Sequence, residues 1–107
     1  MREIANSNDY QELINEGKPV LLDFYADWCG PCQTLLPTVE KLANNHETDF
    51  NIAKINVDKN QELAQKFAVR SIPALFFLKD GEVVEKFVGI QSESLLESKI
   101  QTYSKVA

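Results

Sequence analysis

Two apolar runs place the strongest limit on the fold of this chain. Residues 19–26 (PVLLDFYA) and 50–58 (FNIAKINVD) have the length of strands, and the first is apolar on both faces. A strand of that kind belongs in the middle of a sheet that helices cover on both sides. Between the two runs, apolar residues recur at helical spacing, at Leu35, Leu36, Val39, Leu42 and Ala43. The sequence therefore predicts a strand–helix–strand unit, with Pro37 inside the helix.

Two shorter helices are predicted around this unit. An apolar stripe near the N-terminus ends at Gly17, and Ser7 or Asn8 is placed to cap the start of that helix. A second short helix follows the second apolar run, with Asp58 or Asn60 as its cap.

The last part of the chain predicts a hairpin and a helix. Residues 74–89 (ALFFLKDGEVVEKFVG) divide into two strands at Asp80-Gly81, a pair typical of tight hairpin turns. A final helix is predicted to begin at Ser92. We therefore expect an α/β protein with a central mixed sheet of four to five strands and helices on both faces. Residues 1–107 are expected to form a single domain.

Charge and composition limit the classes of molecule that this protein is expected to bind. The 107 residues carry 16 acidic and 11 basic side chains, a net charge of −5, and the basic residues form no cluster. We therefore expect neither nucleic acid nor an anionic membrane as a main partner. The N-terminus has no apolar stretch of signal-peptide length and no run approaches a membrane span, so we expect a cytoplasmic protein. With no added interface segment, a monomer is expected.

The two cysteines, Cys29 and Cys32, have three interpretations. A structural disulfide is disfavoured, because closing so short a loop removes little entropy from the unfolded chain and such bonds are rare in a reducing cytosol. A zinc site needs four ligands. The other soft ligand is His46 alone, which we expect to be solvated near a helix C-terminus. A redox pair without a metal is the favoured interpretation.

The position of this pair suits redox chemistry. Pro31 fits the first helical position, so Cys29 is expected at or just before a helix N-terminus, where free N–H groups and the helix dipole favour a thiolate. Cys32 follows about one turn later, within bridging reach. The outer thiol is expected to attack and the inner thiol to resolve, while Gly30 leaves the approach unobstructed.

Asp23 lies inside the central apolar run and has two interpretations. Its carboxylate either reaches the sheet edge and solvent, or it is a buried acid or base with a raised pKa near the cysteines. Lys54, inside the second run, is either its counter-charge on the next strand or a lysine that extends to solvent. The residues alone leave both choices open.

The motif WCGPC at residues 28–32 resembles the active site of the thioredoxin family. The similarity covers nearly the whole chain, through DFYADWCGPC (23–32), Pro37, KINVDKN (54–60), VRSIPALFFLKDGE (69–82) and Val88-Gly89. It implies the thioredoxin fold and a protein-disulfide reductase that needs no bound cofactor. It also implies many disulfide-containing client proteins and a thioredoxin reductase that draws electrons from NADPH or ferredoxin.

The resemblance further implies a role for each matching residue. Cys29 would be the nucleophile, Cys32 the resolving thiol, and Asp23 the buried acid that helps to deprotonate Cys32. Pro73 matches a proline that is cis in this family and lies opposite the cysteines. Supporting residues are Trp28, Gly30, Pro31, Lys54 and Pro73. Residues that bind an extended client segment are Trp28, Ile72, Pro73, Gly89 and Ile90.

Several positions depart from the commonest bacterial pattern of this family. Tyr25, Gln33, Ser71 and Ala74 replace a frequent Trp, Lys, Gly and Thr. Gln33 and Asp27 make the surroundings of the site more negative, which would raise the pKa of the thiols or change which partners dock.

Two rival functions remain at this stage. The first is an oxidant or isomerase of thiols, which is disfavoured because its relatives usually carry His between the cysteines where this chain has Pro31. The second is a binding module of a larger complex in which the cysteine chemistry is incidental.

Overall fold

A computed structural model describes residues 1–104, which form a five-stranded sheet flanked by four helices. The strands are β1 (Arg2–Glu3), β2 (Val20–Tyr25), β3 (Asn51–Asn56), β4 (Ala74–Lys79) and β5 (Glu82–Val88). The helices are α1 (Ser7–Asn15), α2 (Gly30–Asn45), α3 (Gln61–Lys66) and α4 (Glu93–Ser104). In this part of the chain no helix is both long enough and apolar enough to cross a membrane.

The strand order confirms the predicted mixed sheet. It is β1-β3-β2-β4-β5, so β2 occupies the centre. β3 runs parallel to both β1 and β2, whereas β4 is antiparallel to β2 and to β5. All six residues of β2 are buried, including Asp23, which interrupts its otherwise apolar sequence.

Helices cover both faces of the sheet, also as predicted. On one face, Val20, Leu22 and Phe24 of β2 pack with the inner residues of α1 and α3. On the other face, Leu21 packs with the inner residues of α2 and α4. Because side chains alternate along a strand, Asp23 and Tyr25 lie on the second face, beneath α2.

The helix starts agree only partly with the predicted caps. The cap of α1 is Asn6, whose Oδ1 accepts a 2.9 Å hydrogen bond from the Asp9 N–H, so the choice of Ser7 or Asn8 was wrong. Asn60 occupies the N-cap position of α3, but its side chain donates instead to the Asn56 carbonyl. Ser92 caps α4 as predicted, since its Oγ accepts from the Leu95 N–H at 3.1 Å.

The predicted hairpin joins β4 to β5 at Asp80-Gly81. Both residues have positive φ, 54° and 78°, which is the conformation of a two-residue turn that matches the twist of the strands. Asp and Gly tolerate that conformation better than most residues, so the dipeptide alone identified the turn.

His46 was expected to be solvated, and this prediction was wrong. His46 ends α2 as its C-cap, but the residue is only 8% exposed. Its Nε2 lies 2.8 Å from Glu97 Oε1 on α4, and its Nδ1 lies 3.3 Å from Asp49 Oδ2. The imidazole is therefore held between two carboxylates where α2 and α4 meet.

Candidate active site

The cysteine pair lies where β2 gives way to α2. Cys29 is the N-cap of α2, and it is joined by a disulfide to Cys32, with the two Cα atoms 5.3 Å apart. The Cys32 N–H donates a hydrogen bond to Cys29 Sγ at 3.2 Å. The Cys32 N–H and the positive end of the helix dipole are thus both directed at Cys29 Sγ. This arrangement stabilises a thiolate at Cys29 once the disulfide is reduced.

The loop before β4 faces Cys29. Cys29 Sγ lies 3.9 Å from the carbonyl oxygen of Ile72, and the Ile72–Pro73 peptide bond is cis, as the resemblance implied. The Gly89 N–H donates to the Pro73 carbonyl at 2.8 Å, and Gly89 has a φ of 89°, which glycine adopts without strain. The end of β5 is therefore fixed against this loop, beside the cysteines.

Large apolar side chains next to Cys29 and next to Gly89 are exposed to solvent. Trp28 is 72% exposed, Val88 51% and Ile90 53%. The Trp28 Nε1–H donates to Asp58 Oδ2 at 2.8 Å, which fixes the direction of the indole. The sequence pattern predicts Asp58 only as a helix cap and indicates no contact with Trp28. Its position in the chain could have indicated the contact. Asp58 follows β3 and Trp28 follows β2, and because these strands are parallel, the residues after them lie at the same edge of the sheet.

Asp23 lies beneath α2, and the structure decides between its two interpretations. The residue is 1% exposed, so a carboxylate that reaches solvent is ruled out, and its Oδ1 has no hydrogen-bond partner. Burial raises the pKa of Asp23 from 3.8 to about 7, while the positive charge of Lys54 opposes that shift. The side chain is thus poised to exchange a proton near neutral pH.

Lys54 is opposite Asp23 in the sheet. The two residues are paired in register between β2 and β3, and Lys54 is half-buried with its Nζ 5.4 Å from the centre of the Tyr25 ring. The predicted counter-charge therefore lies next to Asp23, although the ammonium also contacts an aromatic face.

The two residues between the cysteines lie in the first turn of α2. Gly30 and Pro31 form the exposed first turn of α2, and no heavy atom lies within 4 Å of where a Gly30 side chain would begin. Over residues 1–104, no group of three or more His, Cys, Asp or Glu side chains is arranged to hold a metal ion. The site thus combines the Cys29–Cys32 disulfide, the buried carboxyl group of Asp23 and an exposed apolar rim that includes Trp28 and Ile90.

A disulfide of two closely spaced cysteines, at the N-terminus of a helix that follows a central strand, defines a thiol–disulfide oxidoreductase. Comparison with known proteins specifies the class further. The family model described as thioredoxin matches residues 2–102. The thioredoxin of Porphyra purpurea is 40% identical over 101 residues, which are 94% of either chain.

Solved structures give the same result. A mutant thioredoxin of Halobacterium salinarum is 43% identical, with a TM-score of 0.91 over 99% of this chain and 92% of that one. Fasciola hepatica thioredoxin is 40% identical, with a TM-score of 0.88 over 96% of this chain and 99% of that one. The chain belongs to the thioredoxin family. Its fold, its reaction of disulfide reduction and its class of enzyme are thereby confirmed.

Proposed function

We propose that the chain is a general protein-disulfide reductase in which Cys29 is the nucleophile. The observation that carries this assignment is the N-cap position of Cys29, where Sγ accepts the Cys32 N–H. In the first step the Cys29 thiolate attacks one sulfur of a client disulfide. A Cys29–client disulfide forms, the client bond breaks, and the released client thiolate takes up a proton from solvent.

Cys32 completes the reaction as the resolving thiol. It loses its proton and attacks Cys29 Sγ, so that the Cys29–Cys32 disulfide forms and the second client thiolate leaves and is protonated. The client has gained two electrons and two protons. Asp23 is the proposed acceptor of the Cys32 proton, because its pKa of about 7 lets it take up a proton near neutral pH, and Lys54 moderates that pKa.

Clients are proposed to bind as extended segments across the rim of the site. The contact residues are Trp28, Ile72, Pro73, Gly89 and Ile90. The Ile72 carbonyl near Cys29 Sγ is available for backbone pairing, and the exposed Trp28 and Ile90 supply apolar contact without a deep pocket. Backbone pairing with little side-chain readout accommodates many client sequences.

The oxidised pair must then be reduced again. We propose a thioredoxin reductase as the partner, with electrons that come ultimately from NADPH or ferredoxin. The two thiols carry both electrons, so the chain itself needs no bound cofactor. A single-domain monomer in the cytoplasm, with no nucleic acid or membrane partner, fits this role and the net charge of −5.

Trapping the intermediate tests the two cysteine roles. A Cys32→Ser variant, incubated with an oxidised client protein, is expected to accumulate a covalent complex through Cys29 that a thiol reductant releases. Cys29→Ser is the matched control and is expected to form far less. Equal trapping by the two variants, or none by Cys32→Ser, would show that the roles are assigned wrongly.

The reduction potential of the Cys29–Cys32 couple tests the direction of the reaction. It can be measured by equilibrating the protein with defined thiol buffers and alkylating the free thiols. For a reductase, the reduction potential of this couple is expected to lie clearly below that of the cytosolic glutathione pool. Each 30 mV of difference corresponds to about 1.4 kcal/mol for two electrons. A potential well above that of the glutathione pool would identify an oxidant or isomerase and would contradict the cytoplasmic assignment.

A further inference from the structure

Lys54 has a carboxylate neighbour on each side within the sheet. Asp23 of β2 and Glu3 of β1 are both paired in register with Lys54 of β3. Directly paired residues of neighbouring strands direct their side chains to the same face, so the three form one row across the sheet. The two carboxylates differ in environment, because Asp23 is buried whereas Glu3 is exposed at the edge strand. A single ammonium thus lies between two acids.

Tyr25 contacts both the ammonium and the outer acid. It follows Asp23 by two positions on the same face of β2, and its ring lies beneath Lys54 Nζ at 5.4 Å. Its hydroxyl donates a 2.6 Å hydrogen bond to Glu3 Oε2. The Tyr25 side chain therefore binds the Glu3 carboxylate through its hydroxyl and provides an aromatic face for the Lys54 ammonium.

The Tyr25 hydroxyl is a permanent donor in this arrangement. Burial raises the pKa of Tyr25, and the hydrogen bond to Glu3 and the negative charges of Glu3 and Asp27 raise it further, whereas Asn56 has the opposite effect. The charged groups that act on this row are thus Glu3, Asp27, Lys54 and Asp23. The phenol therefore remains protonated over the near-neutral range in which Asp23 titrates.

We propose that Glu3 and Tyr25 act together as positioning residues that keep the Lys54 ammonium available to Asp23. If Tyr25 did not bind Glu3, the Glu3 carboxylate would be free to pair with Lys54 and would draw the ammonium towards the edge of the sheet. Asp23 would then lose part of its counter-charge. The pair Glu3–Tyr25 therefore adjusts how readily Asp23 accepts a proton.

Two substitutions shift this balance in opposite directions. Tyr25→Phe keeps the ring under Lys54 but releases Glu3, so the midpoint of the Asp23 titration is expected to rise. Glu3→Gln keeps a hydrogen-bond acceptor for Tyr25 but removes the competing charge, so that midpoint is expected to fall. Because Glu3 is exposed, each change is expected to be about 0.3–0.5 pH units. In the double variant, Tyr25→Phe is expected to have little further effect, since no competing charge is left.

The Asp23 carboxyl carbon can be followed directly by 13C NMR in the oxidised protein, from pH 5 to pH 10. Glu40→Gln, an exposed charge on α2, is the matched control for a change of one in net charge and is expected to leave the midpoint unchanged. Shifts of opposite sign in the single variants, with the midpoint of the double variant close to that of Glu3→Gln alone, would support the proposal. Unchanged midpoints in both single variants, or shifts of the same sign, would overturn it.

A second readout links this pair to catalysis, and it alone rests on the proposed role of Asp23. The rate at which Cys32 resolves a preformed Cys29 mixed disulfide is measured against pH for both variants. Its midpoint is expected to follow the NMR midpoint. If the NMR midpoints move as stated and the kinetic profile does not, the positioning role holds and the role of Asp23 as proton acceptor is wrong.

Discussion

The buried carboxyl group of Asp23 predicts a large and pH-dependent gain in stability for Asp23→Asn. The pKa of this group is 3.8 ordinarily and about 7 in the folded protein, so between those values the unfolded chain has lost a proton that the folded chain retains. Stability therefore falls as pH rises through this interval, by about 1.4 kcal/mol per pH unit. Over roughly three pH units the protein loses about 4 kcal/mol of stability, and this loss stays constant at higher pH.

Asparagine has nearly the shape of the protonated acid and cannot ionise. The free energy of unfolding of Asp23→Asn minus that of the wild type is therefore expected to be smallest near pH 4 and to grow by about 4 kcal/mol by pH 8. Burying the amide has a cost of its own, because Oδ1 of the native residue has no partner. That cost is independent of pH, so it displaces the whole curve and leaves the slope unchanged.

The difference in the free energy of unfolding is measured by urea unfolding of both proteins in the oxidised form, at half-unit steps from pH 4 to pH 9. Other titrating groups contribute equally to the two proteins and cancel. Asp27→Asn, which removes an exposed carboxylate beside the site, is the control and is expected to give a nearly flat difference. A flat difference for Asp23→Asn as well would refute the assignment of a raised pKa to this carboxyl group.

Two further variants test contacts outside the cysteine pair. Burial alone lowers the pKa of His46, but the hydrogen bonds to Glu97 and Asp49 outweigh that effect, so the pKa is raised above 6.5 in the folded protein. The stability that these two contacts contribute is therefore complete below pH 6.5 and is lost as pH rises through the folded pKa. His46→Gln is therefore expected to cost about 1 kcal/mol at pH 5.5 and less at pH 9 in urea unfolding, and an equal cost at both pH values would contradict this. Asp58→Ala removes the acceptor of the Trp28 indole and is expected to raise KM for a protein disulfide by about two- to fivefold, with Asp58→Asn near wild type. An unchanged KM in steady-state reduction assays would show that Trp28 needs no such support.

Several features were predictable because their causes are local in sequence. The hairpin needs only two residues that tolerate positive φ, and Asp80-Gly81 supplies them. The position of Cys29 follows from a proline in the first turn of a helix that succeeds an apolar run. Local signals failed where several residues were equally suitable. Residues 6–9 (NSND) are all competent helix caps, and the chain uses the first of them, Asn6.

The site also depends on contacts between residues far apart in the chain. His46 is buried because Glu97, on α4, reaches it across the junction of two helices. Asp58 orients Trp28 from the end of another strand, 30 residues away. No spacing within a single segment indicates such pairs, because they arise only when the helices and strands are packed against one another.

The amino-acid order was enough to define the class of fold, the chemistry of the two thiols and the presence of an acid within the central strand. Hydrophobic periodicity and turn residues act over a few positions, and a CxxC pair carries its reactivity in its own spacing. The behaviour of Asp23, in contrast, became clear only from the packed molecule. Its pKa depends on the water that α2 excludes and on the charge that Lys54 brings from the neighbouring strand, and both are set by how the layers of the molecule pack.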